Sequence, residues 1–462
     1  MANIKELFAP KDLTKGKPWK RIVEFAIPML IGNVAQQLYN TADSIIVGRY
    51  VGDNALAAVG SAGPVLHLLL VLFVGVAVGA GIMVSQYFGA RDREKLSHTI
   101  GICISLTAIA SLIIMIIGPL VTRPLLKLLN TPASIIDWSA DYLIIFFLGA
   151  AGFSYYNIFA GILRGLGDSL SALVFLLIAT ALNVVLDIIF VTRFNMGVPG
   201  VALATIIAQA ISAVLSFIKL MKMDDSFDLK LKMLKLNKDY VLQLLKLGLP
   251  SGLTQAIFSL AMIIVQSLTN TFGEMVIAAN VILMRVDAFA MMPNFTFGSA
   301  MTTYTGQNIG ARKLDRVEEG TKQGTMIAVG TAAVITIIIL TFGKYLMSIF
   351  TDTKELVDLS MHMMRILALG YVAMAVTQCL SGVMRGAGDT VTPMWISLIT
   401  TVGIRVPVAY GIAYLTRSPA YPTGRPESIF ISLLTAWTMG ALITTFFYRR
   451  GKWRKKAIID TQ

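Results

Sequence analysis
Apolar positions run through this chain in stretches of about twenty residues, the length at which a helix crosses the ~30 Å hydrocarbon core of a bilayer. Residues 100–121 and 325–342 carry no charge at all. Glycine, proline and clustered charge separate the stretches and mark turns. Read this way, the pattern predicts twelve helical spans: 23–47, 55–86, 98–122, 136–160, 170–192, 198–220, 241–269, 276–306, 320–343, 357–381, 392–416 and 427–448. The expected class is an all-α polytopic membrane protein.

The pattern repeats. "QYFGARDREKL" from Gln86 returns as "QNIGARKLDRV" from Gln307, and "AGILRGLGDSLSAL" from Ala160 returns as "SGVMRGAGDTVTPM" from Ser381, each 221 positions later. Six spans lie in each copy, an even number, so both halves share one orientation. A parallel repeat of this kind is a transporter architecture, with substrate held between the halves. The expected layout is a cytoplasmic segment 1–22, an N-lobe 23–221, a linker 222–240, a C-lobe 241–448 and a cytoplasmic tail 449–462. The twin "RGLGDS" and "RGAGDT" loops resemble phosphate loops only superficially. No strand precedes them and no G-x-x-x-x-G-K-[ST] occurs, so glycines that end one helix and Asp168 or Asp389 that cap the next explain them.

Composition agrees with the spans. Hydrophobic residues make up 56% and charged residues 14%, against about 25% charged in soluble domains, and the mean hydropathy is +0.72. The net charge of +13 would suggest nucleic acid if it were scattered. It is sorted instead. Lysine and arginine crowd the segment before the first span, the even-numbered loops, the 222–240 linker and the tail. The odd-numbered loops hold only Arg49, Arg123, Lys127, Arg193, Lys344, Lys354, Arg417 and Arg425. Basic loops stay inside, so both termini are expected in the cytoplasm of a plasma-membrane protein, with the first span as its own insertion signal and no nucleic-acid partner. Cys103 and Cys379 fall within spans, which argues against a disulfide, and no metal-ligand spacing is present.

Carboxylates inside the spans carry the candidate chemistry. An Asp at a helix centre costs ~2.5–3.5 kcal/mol and marks a pathway by default. Asp43 precedes Arg49 at the outer end of span 1, and Asp187 precedes Arg193 at the outer end of span 5. At 1.5 Å per residue, each lies about 9 Å from the outer surface. Asn183 is one turn below Asp187, and Thr205 and Tyr142 enter at similar depth from spans 6 and 4. Counted from Pro28 and its counterpart Pro250, 222 positions later, Asp43 aligns with Val265, and at 221 Asp187 aligns with Val408, so the scaffold itself does not demand the acids. Two such carboxyl groups in a dry pocket cannot both ionise cheaply. They would take a proton, or hold Na⁺ among Asp43, Asp187, Asn183 and Thr205. In the other half, Arg285 or Arg405 would serve as counter-charge to Asp287, or Asp287 would face substrate. Gln36, Met262, Arg285, Asp287, Phe289 and Met292 are the candidate cavity residues, the methionines being soft enough for varied apolar ligands.

"IPMLIGNVAQQLYNTADSIIVGRYVG", the two Gln-x-x-Gly-Ala-Arg loops and the two Arg-Gly-x-Gly-Asp loops resemble the multidrug and toxic compound extrusion (MATE) family over roughly residues 20–450. The resemblance implies two six-helix lobes, a V-shaped central cavity and alternating access driven by Na⁺ or H⁺. It is nearest to the DinF-like branch, whose key acid follows a first-helix proline by fifteen residues, as Asp43 follows Pro28. The implied cation-site partners are Tyr142, Asn157, Asn183, Asp187 and Thr205, with Pro28 as a hinge. A proline removes one backbone hydrogen bond and so permits a bend. The acids that another branch carries in helices 7 and 10 are missing, since span 7 offers Gln255 and Gln266 and the interior of span 10 has no acid.

The function expected from all this is secondary active efflux: antiport of H⁺ or Na⁺ against amphipathic, often cationic drugs or toxins. No cofactor is expected, and the bilayer is the only large partner of an expected monomer. Two alternatives stay open, a flippase for a lipid-linked saccharide and an uncoupled channel or sensor. No nucleophile or acid–base motif suggests an enzyme.

Overall fold
A computed structural model describes residues 10–129, 131–223 and 225–459. Residues 1–9 of the expected N-terminal segment and the last three of the tail lie outside the described residues. The helices are α1 (Pro18–Ile46), α2 (Asp53–Ala90), α3 (Arg93–Leu128), α4 (Ile136–Leu148), α5 (Ala150–Gly165), α6 (Ser169–Ile188), α7 (Gly197–Met221) and α8 (Lys238–Asn270). They continue as α9 (Glu274–Gly310), α10 (Leu314–Ser348), α11 (Lys354–Ala368), α12 (Tyr371–Gly386), α13 (Val391–Ser397), α14 (Arg405–Leu415) and α15 (Glu427–Arg450). Every expected span is helical. Two spans are broken: α4 and α5 meet at 55°, α11 and α12 at 46°. Three π-helical turns interrupt others, Val47–Val51 after α1, Ile189–Arg193 after α6 and Leu398–Ile404 between α13 and α14.

Among the described residues, nine helices are long and apolar enough to cross a membrane, eleven spans if each bent pair counts as one. α1, which carries Asn33, Gln36, Gln37 and Asp43, is not among them. On α3 the side chains of Leu112, Ile113, Ile116 and Leu120 are exposed. An outward apolar face of that kind suits lipid, where backbone groups must be satisfied inside the helix.

The chain forms two compact units. Unit 1 is Met1–Asp12 with Ile27–Gly252, and unit 2 is Leu13–Ala26 with Leu253–Gln462. Two of the divisions therefore fall inside α1 and α8, beside Pro28 and Pro250, and the third lies between Asp12 and Leu13 ahead of α1.

The repeated loops do the same structural work twice. Arg91 (φ 56) and Arg312 (φ 57) take the left-handed conformation that lets the chain turn into the next helix. Asp168 then accepts from the backbone N–H of Ser171 at 2.9 Å and from its hydroxyl at 2.6 Å. Asp389 accepts from Thr392 at 3.2 and 2.7 Å. These are N-terminal caps, as expected for these loops. Helix crossings repeat as well. A Cβ built on Gly161 would lie 2.7 Å from the Ala77 carbonyl oxygen, and one on Gly382 would lie 2.2 Å from that of Gly298. Glycines here let two membrane helices touch backbone to backbone.

The linker is not a free tether. Arg93 grips both carboxylate oxygens of Asp228 at 3.0 and 3.1 Å, and Ser97 Oγ accepts from the Asp228 backbone N–H at 2.8 Å. Ser105 donates to the Leu234 carbonyl, and Gly101 has no room for a Cβ because the Met233 carbonyl oxygen would sit 2.2 Å away. The Arg93 hydrogen bond holds Asp228 below the usual carboxylate range. A depressed carboxylate favours the folded arrangement above its unfolded value of about 3.9 and stops doing so as pH falls through the lower folded one. Arg93→Ala is therefore expected to speed amide hydrogen exchange in residues 225–235 at neutral pH. In the wild type, the same segment should loosen only below about pH 4. The tail also docks. Trp453 is buried, its ring 5.3 Å from that of Tyr448, and Arg454 pairs with Glu318 at 2.6 Å.

Candidate functional site
The acids of unit 1 converge. Asp43 comes from α1 and Asp187 from the last turn of α6, and their carboxyl groups are within hydrogen-bonding reach of one another. A hydrogen bond between two carboxyl groups needs a proton on one of them. Each group also keeps one buried oxygen, Oδ1, without a hydrogen-bond partner. Buried polar atoms are nearly always satisfied, so an orphan oxygen on each of two neighbouring acids marks a place where a cation or proton fits.

Neutral oxygens complete the cluster. Asp187 and Asn183 are fully buried, and Thr205 is nearly so. The Asn183 amide, oriented to satisfy both neighbours, donates to Asp187 Oδ2 at 3.1 Å and accepts from the Thr205 backbone N–H at 3.2 Å. Asn183 and Asp187 share a face because they are four residues apart. Tyr142 is buried on α4, with its ring 5.8 Å from Phe146, and it senses both acids electrostatically. Each acid is followed closely by a π-helical turn, Val47–Val51 or Ile189–Arg193. Such turns recur at functional positions in helices.

The carboxylates and the Thr205 hydroxyl offer only oxygen, which suits a hard cation, while the Asn183 carbonyl oxygen is turned to Thr205 and its amide nitrogen faces Asp187. Among the described residues no group of three or more His, Cys, Asp or Glu forms a metal cluster.

One member was missed from the sequence. Tyr39, 9% exposed, directs its hydroxyl to Thr205 Oγ1 at 3.4 Å. It lies four residues before Asp43 on the same helix, and that spacing is the signal that could have found it. Tyr39 also borders a gap too narrow for a water molecule, together with Gln36, Leu176, Ala179, Thr180, Asn183, Ala208 and Gln209. Gln36 thus stands beside the acid cluster through Tyr39 and Asn183. Among the described residues no hydrogen bond joins Asn157 to the acids, and its amide donates to the Phe153 carbonyl of its own helix at 2.9 Å.

The candidate residues of unit 2 split between two faces. Met262 and Phe289 are about half exposed, Arg285 is exposed and Met292 is partly buried. Asp287 is buried and points inward, accepting from the Tyr371 hydroxyl at 2.8 Å. Two residues apart on a helix, Arg285 and Asp287 cannot face the same way. The charge that acts on Asp287 is Arg405.

Comparison with known proteins follows the repeat. The family model described as MatE matches residues 28–189 and 250–411. The "Probable multidrug resistance protein YoeA" of Bacillus subtilis (strain 168) is 28% identical over 455 residues, covering 96% of each chain. A solved structure described as the outward-facing conformation of a multidrug resistance MATE family transporter superposes with a TM-score of 0.89 at 26% identity, over 97% of this chain and 100% of that one. Another, described as MATE in the bent conformation, has a TM-score of 0.89 at 27% identity, over 96% of this chain and 98% of that one.

Proposed function
The chain belongs to the MatE family of multidrug efflux transporters, and from that premise we propose that it exports amphipathic, often cationic compounds in exchange for H⁺ or Na⁺ taken up at Asp43 and Asp187. It is a multi-pass membrane transporter and not an enzyme. The observation that carries the coupling reading is the acid pair itself. Two carboxyl groups meet within unit 1, each with an orphan oxygen, while the aligned positions of unit 2 are Val265 and Val408. Binding a cation there satisfies both orphans and changes the charge of the site by one.

The ion would move α1. Pro28 lies within that helix, where one backbone hydrogen bond is missing, and a similar protein has been solved in a state described as bent. Neutralising Asp43 would replace its repulsion of Asp187 by attraction, shift how α1 meets α6 and let the helix pivot near Pro28. Asn183, Thr205, Tyr39 and Tyr142 would hold the acids in register. In this reading the protein is a plasma-membrane monomer with both termini in the cytoplasm, of the DinF-like kind that couples through its first half. A flippase for a lipid-linked saccharide, which would bind pyrophosphate through cationic groups such as Arg285 and Arg405, would place no demand on the two acids of unit 1.

Purified protein in liposomes, loaded with a fluorescent organic cation, tests this. Efflux is expected when a pH or a Na⁺ gradient is imposed separately, and the gradient that works names the ion. Equal efflux with neither gradient would overturn coupled transport and favour a channel.

A further inference from the structure
The two bent spans break at equivalent places. Gly149 and Gly370 are 221 positions apart, and each sits at the junction of its two segments. A Cβ on either would strike an apolar side chain 2.5 Å away, Ile206 in unit 1 and Trp437 in unit 2. There the likeness ends. Ala150 follows the first glycine, whereas Tyr371 follows the second.

Tyr371 is fully buried and held at three points. Its hydroxyl donates to Asp287 Oδ1 at 2.8 Å, its carbonyl accepts from Asn294 Nδ2 at 3.3 Å, and its ring lies 5.9 Å from Trp437. Asp287 and Asn294 are seven residues apart on α9 and so share a face. Asp287 also faces Arg405, its electrostatic partner, though no direct ion pair joins the two. Arg405 opens α14 immediately after the π-helical turn Leu398–Ile404, and its Nε is buried without a hydrogen-bond partner. The positions of unit 1 that align with Asp287 and Arg405 are Leu66 and Val184. The bend of α4 and α5 forms without any of this wiring, so bending alone does not require it.

We propose that Asp287 is a positioning residue for the bend between α11 and α12: its carboxylate, carried on α9, anchors the Tyr371 hydroxyl by a hydrogen bond, with Arg405 of α14 as the opposite charge. A change in the angle at Gly370 must then break the Tyr371 bond or carry α9 with it. The chemistry is separate from the acid pair of unit 1. A buried charge left without its partner is costly, whereas removing both partners is often neutral. That asymmetry makes the tie measurable.

The test uses the full-length protein in lipid nanodiscs. Tyr371→Phe and Asp287→Asn are each expected to raise amide hydrogen exchange at residues 369–374 at least tenfold. Asp287→Asn and Arg405→Met are each expected to lower the melting temperature, and the double variant is expected to recover most of that loss. In transport assays Tyr371→Phe should lower the maximal rate and leave the half-saturating substrate concentration within twofold, and Asp287→Glu should restore more activity than Asp287→Asn. Unchanged exchange in Tyr371→Phe overturns the proposal even if Asp287→Asn fails to fold, as does a double variant no more stable than either single one. Exchange and melting do not depend on transport, so their failure counts against this tie and leaves the coupling role of Asp43 and Asp187 standing.

Discussion
Asp43→Asn is expected to abolish gradient-driven efflux, down to the leak of protein-free liposomes, and to leave the fold intact. Asparagine has the shape of aspartic acid but can neither ionise nor share a proton. In the wild type, uptake of one cation cancels a charge that two buried carboxyl groups cannot both carry. With the amide in place of the acid, the α1 side of the pair is already neutral beside Asp187, so no cation is needed to reach the neutral state and none is released when the cycle turns. The gradient then has nothing to act on. Stability should change by only about 1 kcal/mol, the scale of a single hydrogen bond. One Asp43 oxygen lacks a partner in any case. The measurement is efflux from liposomes with both gradients imposed, alongside a thermal unfolding curve. Wild-type efflux from a folded Asp43→Asn variant would remove Asp43 from the mechanism.

Gly382→Ala is expected to destabilise unit 2 although it adds only one methyl group. The new Cβ would lie 2.2 Å from the Gly298 carbonyl oxygen and 3.2 Å from the Met301 Cβ. The obstacle is backbone, so no side-chain rotation relieves it, and α9 and α12 must separate along their length. Overpacking of this kind costs about 1–3 kcal/mol. The gain in helix propensity of up to about 1 kcal/mol for Gly to Ala offsets only part of that. Gly330 on α10 is the control, because nothing lies within 4 Å of the place its added methyl would occupy. Gly330→Ala should leave stability unchanged or raise it by as much as about 1 kcal/mol. Melting temperatures of the two variants in the same detergent decide the matter, and equal values would show that the crossing is softer than its geometry implies.

The spans, their order and the duplication were legible in the residues because each rests on a periodic signal. Apolar length marks a span, and the repeated Gly-Ala-Arg and Arg-Gly-x-Gly-Asp loops mark the two halves. The bends were not legible. Gly149 and Gly370 sit in apolar runs with no proline nearby, and only the bulk of Ile206 or Trp437 pressing from another helix shows why glycine is needed. The π-helical turns leave no mark on the pattern either, since one extra residue in a turn keeps the stretch apolar. The linker reads as solvated because of its lysines, yet it fits against Gly101 through a backbone contact that no composition records.

The candidate site was partly legible for the same kind of reason. Helix depth placed Asp43, Asp187, Asn183, Thr205 and Tyr142 in one stratum, and depth is a simple count. Tyr39 was passed over because a tyrosine in an apolar stretch looks like packing. Asn157 came in by resemblance alone, and it bonds to its own helix. In unit 2 the choice between Arg285 and Arg405 as the partner of Asp287 depended on which helix faces α9, a question of packing and not of order along the chain.

Because the proposed exchange takes up one charge at the acid pair, it has a thermodynamic ceiling. One charge moving through 100 mV releases about 2.3 kcal/mol, and each tenfold concentration ratio costs about 1.4 kcal/mol. Swapping one proton for one uncharged compound can therefore sustain an outward accumulation of roughly 50-fold per 100 mV. A singly cationic compound, whose exit cancels the incoming charge, draws only on the chemical gradient of the ion.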